Sequence, residues 1–147
     1  MMLFKFFIAK YLKQGKLNKS IKLLVYILYF LKKLTKKSGI IIFNKAIKNL
    51  LLPFSFYNIK INTTIYKVPI IISYEQSIFN VYKLLNNNII INKTQLLYKI
   101  ICKHLVLSYN KEGSLYKIKL NLIKQFISNR TYIYLLNKKK YIYKLKY

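Results

Sequence analysis

Pro53 divides this chain into two kinds of pattern, and that division constrains the fold more than any other feature. The residues before it, from Phe43 to Leu52, read as the end of a helix. Proline stops a helix because it has no amide hydrogen and its ring crowds the preceding residue out of helical geometry. Two runs rich in β-branched and aromatic residues follow. The first is Phe54 to Ile61 and the second Ile65 to Ile72, with Asn62-Thr63-Thr64 as a connector short enough to close a hairpin. Pro69 cannot donate to a strand ladder, so its strand lies at an edge or leaves the sheet there. Two strands are rarely stable alone. The ribbon should therefore project from a helical body or lie against a large partner.

The rest of the chain has helical spacing. Leu3, Phe4, Phe7, Ile8, Tyr11 and Leu12 define a helix over about 3–13, ended by Gly15. Asn18 is placed to cap a second helix over 18–36, with a stripe of Ile21, Leu24, Val25, Leu28 and Leu31. Lys32, Lys33, Lys36 and Lys37 stand at its C-terminal end, where the helix dipole favours cations. A third helix runs over 40–52. After the ribbon (54–72), Ser73 caps a helix over 74–85, and Asn86-Asn87-Asn88 reads as a loop. Ile89-Ile90-Ile91 fits a strand or an extended loop. Leu96, Leu97, Ile100, Ile101, His104 and Leu105 share a face of a helix over 93–109, and Ser114 caps one over 114–129. The basic tail 132–147 alternates enough to be a strand or an adaptable extension. The expected fold is mainly α: a single-domain bundle of about six helices, with a two-stranded β-ribbon projecting between the third and fourth.

Charge then narrows the partner. Of 147 residues, 28 are basic and 2 acidic, a net charge of +26. So little counter-charge makes the isolated chain repel itself and implies a polyanion, with nucleic acid first and an anionic membrane surface second. Arg130 is the one arginine, so nearly every cation is a point charge on a flexible stem, suited to phosphates more than to base edges. The dominance of Ile, Asn, Tyr, Phe and Lys matches A/T-rich codons and suggests an organellar genome. The longest uncharged run, Asn49 to Ile59, falls short of the roughly 20 residues of a membrane span. The N-terminus lacks the pattern of a signal or transit peptide, which favours synthesis inside the organelle.

The inventory argues against catalysis. Glu75 and Glu112 stand in separate helices and cannot form a carboxylate pair or an oxygen-ligand metal site. Cys102 and His104, two apart, would point to different sides of their helix and cannot complete a zinc site; they read as ordinary helix residues. Three scattered glycines make no phosphate loop. No enzyme, cofactor or metal is expected. Most of the 15 tyrosines and 9 phenylalanines read as core filler, while Tyr66 and Tyr132, if exposed, would stack on unpaired bases.

Phe43, Ala46, Asn49, Pro53, Tyr66, Val68 and Pro69 together resemble the ribosomal protein seven family of the small subunit, whose ribbon closes on tyrosine-x-valine-proline. Gly15-Lys16, with Tyr26 following, is similar to that family's glycine-lysine turn, and Asn129-Arg130-Thr131-Tyr132 to its C-terminal asparagine-arginine-alanine-phenylalanine. The resemblance implies a structural protein bound to small-subunit rRNA in the head domain, among neighbouring ribosomal proteins. It implies rRNA contacts at Lys5, Lys10, Lys13, Lys16, Lys60, Lys67 and Arg130, and a ribbon carrying Asn62, Thr63 and Tyr66 near the exit-site tRNA and the mRNA path. Three departures stand out. Asn62-Thr63 replaces a glycine pair at the ribbon tip, Gln76-Ser77 replaces paired arginines, and the basic N-terminal arm is nearly absent. The expected location is the mitochondrial ribosome, with a relict plastid ribosome as the alternative. The rival to the whole reading is a basic amphipathic protein lying on a membrane surface.

Overall fold

The computed structural model of the chain describes residues 2–12, 14–61, 63–91 and 96–136. Six α-helices are present in it: α1 (Met2–Tyr11), α2 (Leu17–Thr35), α3 (Gly39–Leu50), α4 (Tyr74–Ile91), α5 (Leu97–Tyr109) and α6 (Gly113–Asn129). Strands β1 (Phe54–Ile61) and β2 (Thr64–Ile71) form an antiparallel ribbon between α3 and α4, and a 3-10 helix, Arg130–Ile133, follows α6. This is the mainly α fold, with a two-stranded ribbon between the third and fourth helices, that the pattern around Pro53 predicts. The chain divides into two compact units. One holds Met1–Leu51 and Ile78–Ile118, the other Leu52–Ser77 and Lys119–Tyr147.

The first unit is a helical core built on aromatic edges. Phe7 of α1 is fully buried between Phe43 of α3, 5.7 Å away at 78°, and Tyr82 of α4, 5.8 Å away at 74°. Edge-to-face rings at such spacing gain quadrupole attraction beyond their buried area. Tyr82 is wholly buried, and its hydroxyl donates to the Leu3 carbonyl at 2.8 Å. Ile27 and Leu31 from α2, Ile42 and Ile47 from α3, and Ile101 and Leu105 from α5 complete the interior. Gly39 opens α3 where a side chain would overlap the Leu28 carbonyl. Here glycine is needed for close approach, since Gly39 is not among the positive-φ glycines.

The second unit is pinned at the root of the ribbon. The Ile72 amide donates to the Pro53 carbonyl at 3.1 Å. The Ser77 hydroxyl donates to the Leu52 carbonyl at 2.6 Å and accepts from the Leu52 amide at 3.2 Å. Ser73 and Gln76 exchange side-chain and backbone bonds, a capping box at the start of α4. The two positions that depart from the family's paired arginines thus cap the helix and tie down the turn after α3.

Several boundaries differ from the sequence expectations. Asn18 lies inside α2: Gln14 and Gly15, at φ 52 and 69, turn the chain so tightly that the helix begins at Leu17. Ser114 likewise lies inside α6, because Gly113 at φ 86 makes that turn one residue earlier. The loop expected at 86–88 is helix: no proline or glycine interrupts it, Leu85 is buried, and the Asn88 side-chain Nδ2 donates back to the Leu84 carbonyl at 3.0 Å. The described start of the tail is also helical, with neither of its expected forms. Ile21 and Val25 of α2, Leu12, and Leu96 and Leu97 before and at the start of α5 are exposed, so those stripes are narrower than periodicity suggested.

Candidate nucleic-acid interface

The register of the ribbon sorts its side chains. Asn58 pairs with Lys67, Lys60 with Ile65, Ile59 with Tyr66 and Tyr57 with Val68. Cross-strand partners share a face and successive pairs alternate. Lys60 and Lys67 therefore stand on one face with Asn58 and Ile65, all four exposed. Nearer the root of that face, Phe54 packs on Phe56 at 5.8 Å and on Phe126 of α6 at 4.3 Å.

The opposite face is covered along its middle. Ile59 and Val68 are buried against Leu135, and Tyr66 meets Tyr132 with ring centroids 5.3 Å apart. Both tyrosines are half-buried and occupied by each other, which corrects the expectation that they stand exposed to stack on bases. The strand period explains the error. Tyr66 is adjacent to Lys67 in the chain but points to the other side. Thr63 is exposed at the tip with its neighbour Asn62 outside the described residues, and Arg130 is exposed at the start of the 3-10 helix.

In the first unit the lysines are less uniform. Lys5 is exposed on α1, whereas Lys10 is half-buried with its Nζ 5.1 Å from the centroid of Phe79. Lys13 lies outside the described residues. Lys16 is exposed at the N-cap of α2, directly after the left-handed Gln14-Gly15 turn. With Tyr11, Gln14, Lys19, Ser20, Leu23 and Leu97 it lines an open groove of about 370 Å³. The Tyr11 hydroxyl is buried with no hydrogen-bond partner among the described residues, and burial raises its pKa.

Pattern reading missed a contact between two lysines and a distant ring. Lys37 and Lys45 both approach the ring of Tyr109, at 5.9 and 5.2 Å. Asn49 donates to the Ser108 and Tyr109 carbonyls at 3.1 Å and holds the end of α5 there. Their signal in the sequence, lysines on either side of Ser38-Gly39, carries no information about a ring more than sixty residues away.

Cys102 and His104 serve the fold. Both are buried even though positions two apart on a helix point to different sides, because α5 is enclosed over much of its circumference. The Cys102 thiol contacts the Ile27 carbonyl at 3.6 Å, and burial pushes its pKa up to about 12, so at neutral pH it is an inert thiol. Burial first, and the neighbouring Lys103 charge second, lower the pKa of His104. Two carboxylates cannot neutralise 28 cations, so most of the cationic surface has no intramolecular partner to satisfy it. Such a surface binds polyanions by releasing their counterions. The apolar side of α1, through Leu3 and Phe7, is used in the protein core rather than on lipid. Among the described residues no helix is long and apolar enough to cross a membrane.

No curated protein matches the chain. The family model described as ribosomal protein S7p/S5e matches residues 2–130, which takes in all six helices and the ribbon. This is a structural family of the small ribosomal subunit that binds rRNA among ribosomal neighbours, and not a family of enzymes. The helical body, the ribbon rooted at Pro53 and the surplus of cations are what that role requires, and the chain belongs to the ribosomal protein S7p/S5e family.

Proposed function

We propose that this chain is the organelle-encoded, mitochondrial form of the small-subunit protein. It binds the rRNA of the head domain, aids that domain's assembly, and holds its ribbon near the exit-site tRNA and the mRNA path. The observation that carries this reading is the asymmetry of the ribbon. One face offers Asn58, Lys60, Ile65 and Lys67 to solvent, and the other is braced at Ile59, Tyr66 and Val68 by Tyr132 and Leu135. A ribbon with one cationic face is suited to lie along a phosphate backbone while its braced side keeps it rigid. Lys5, Lys16 and Arg130 add exposed cations for the same rRNA, and Thr63 stands exposed at the tip. The near-exclusive use of lysine supports phosphate contact over base readout. The A/T-biased composition supports the organellar origin.

Ultraviolet crosslinking in isolated mitochondria, with sequencing of the attached RNA, tests this. Reads gathered at one place in the head domain of the mitochondrial small-subunit rRNA are expected, with Lys60 or Lys67 peptides among the adducts. Reads proportional to RNA abundance would reduce the chain to a general polycation. Reads on plastid rRNA would move the proposal to the other organelle.

A further inference from the structure

Beside the crossing of α2 and α3, where Gly39 meets the backbone of Leu28, lies an open groove of about 460 Å³. Its floor is aliphatic, formed by Val25, Leu28 and Ile40, with Tyr29 along one side. Its rim is cationic, formed by Lys32, Lys36 and Lys37. Val25 is 57% exposed, Tyr29 67% and Ile40 49%. On α2, Leu28, Tyr29 and Lys32 lie three, four and seven positions after Val25 and so share its face, and Lys36 is the left-handed residue that ends the helix. A different face, with Leu24, Ile27 and Leu31, is buried in the core. The helix therefore carries a second apolar surface that is exposed among the described residues. Contiguous exposed apolar surface rimmed by charge marks an interaction site.

The chemistry of the groove selects among occupants. RNA would satisfy the lysines, but the groove gives a base no stacking face beyond Tyr29 and no neutral side-chain hydrogen-bond partner beyond the Tyr29 and Ser38 hydroxyls, which leaves its aliphatic lining unmatched. A second copy of this chain brings only Glu75 and Glu112 as acids and a further +26 of charge. What fits both floor and rim is an apolar segment flanked by carboxylates. We infer that this groove receives such a segment from another protein of the same small subunit, with aliphatic side chains against Val25, Leu28 and Ile40 and Asp or Glu against Lys32, Lys36 and Lys37. The inference rests on the chain's place in that subunit.

Carbodiimide coupling of isolated small subunits, read by mass spectrometry, tests it directly, because this reagent joins a carboxylate to an amine already in contact. Amide links are expected from Lys32, Lys36 or Lys37 to an Asp or Glu of another protein whose neighbouring residues are apolar. Charge reversal in the double variant Lys36→Glu, Lys37→Glu should lower the Lys32 adduct roughly tenfold while the chain still sediments with the subunit. Three results would overturn the inference: ultraviolet adducts of Tyr29 with rRNA, amide links confined to this chain's own glutamates, or silence at these three lysines while others on the chain react. If the chain does not sediment with the subunit at all, the parent reading fails first and the groove's partner with it.

Discussion

Tyr66 of the ribbon and Tyr132 of the 3-10 helix meet with their ring planes 65° apart and centroids 5.3 Å apart. Tyr132 lies beyond the stretch that matches the family model, as does Leu135 beneath it. The family's ribbon is therefore braced here by residues after the matched region. Bracing answers a physical need, since two strands lack the buried area to stay ordered alone.

Tyr132→Ala should accordingly loosen the ribbon while leaving the helical core intact. Loss of an edge-to-face pair and part of its buried area costs about 1–2 kcal/mol. Hydrogen exchange should show faster exchange of the β1 and β2 amides with no change in α3 or α5. Tyr66→Phe, which keeps the ring, should be nearly silent.

Gly39 and Gly15 should respond differently to alanine. A methyl group at Gly39 overlaps the Leu28 carbonyl, a backbone atom that cannot swing aside. The cost should be about 3 kcal/mol, typical of overpacking a rigid contact. At Gly15 there is open space, and only the φ of 69° is strained, for about 1 kcal/mol. Urea unfolding of the two variants should separate these values.

The buried His104 makes stability fall with acid. Its folded pKa lies below the ordinary 6.5, so as pH drops through that value the unfolded chain takes up the proton first. Stability is lost downward from about pH 6.5 and levels off below the folded value. It is the one histidine of the chain. Thermal melts from pH 8 to pH 5 should show the loss, and His104→Gln should flatten it.

The double variant Lys60→Gln, Lys67→Gln should weaken rRNA binding most at low salt. Removing two phosphate contacts should reduce the slope of log affinity against log salt by about 1.5. Lys10→Gln should change the slope less, because its ammonium is held over the Phe79 ring. Filter binding across a salt series checks both.

Much of the fold was legible because it depends on local chemistry. Pro53, the two β-rich runs and the capping Ser73 act over a few residues, and the strands begin and end within one residue of where those signals put them. Helix ends were less legible. Asn18, Ser114 and the run 86–88 are ordinary cap and loop residues, but a left-handed turn or a packed Leu85 moved the boundary. The candidate site divided along the same line. Lys60 and Lys67 share a face through the strand period alone, while the burial of Tyr66 depends on Tyr132, sixty-six positions later.

By itself, the sequence determined the class of partner and the order of the elements. A charge of +26 with two carboxylates demands a polyanion, and neither quantity depends on how the chain folds. Tertiary structure decided which apolar residues are buried and which cations are free to act. Val25 and Leu24 are equally apolar neighbours on α2, yet Leu24 faces the core and Val25 lines an open groove. Periodicity places residues on a face of a helix, but only the packing of the other helices says how wide a face they cover.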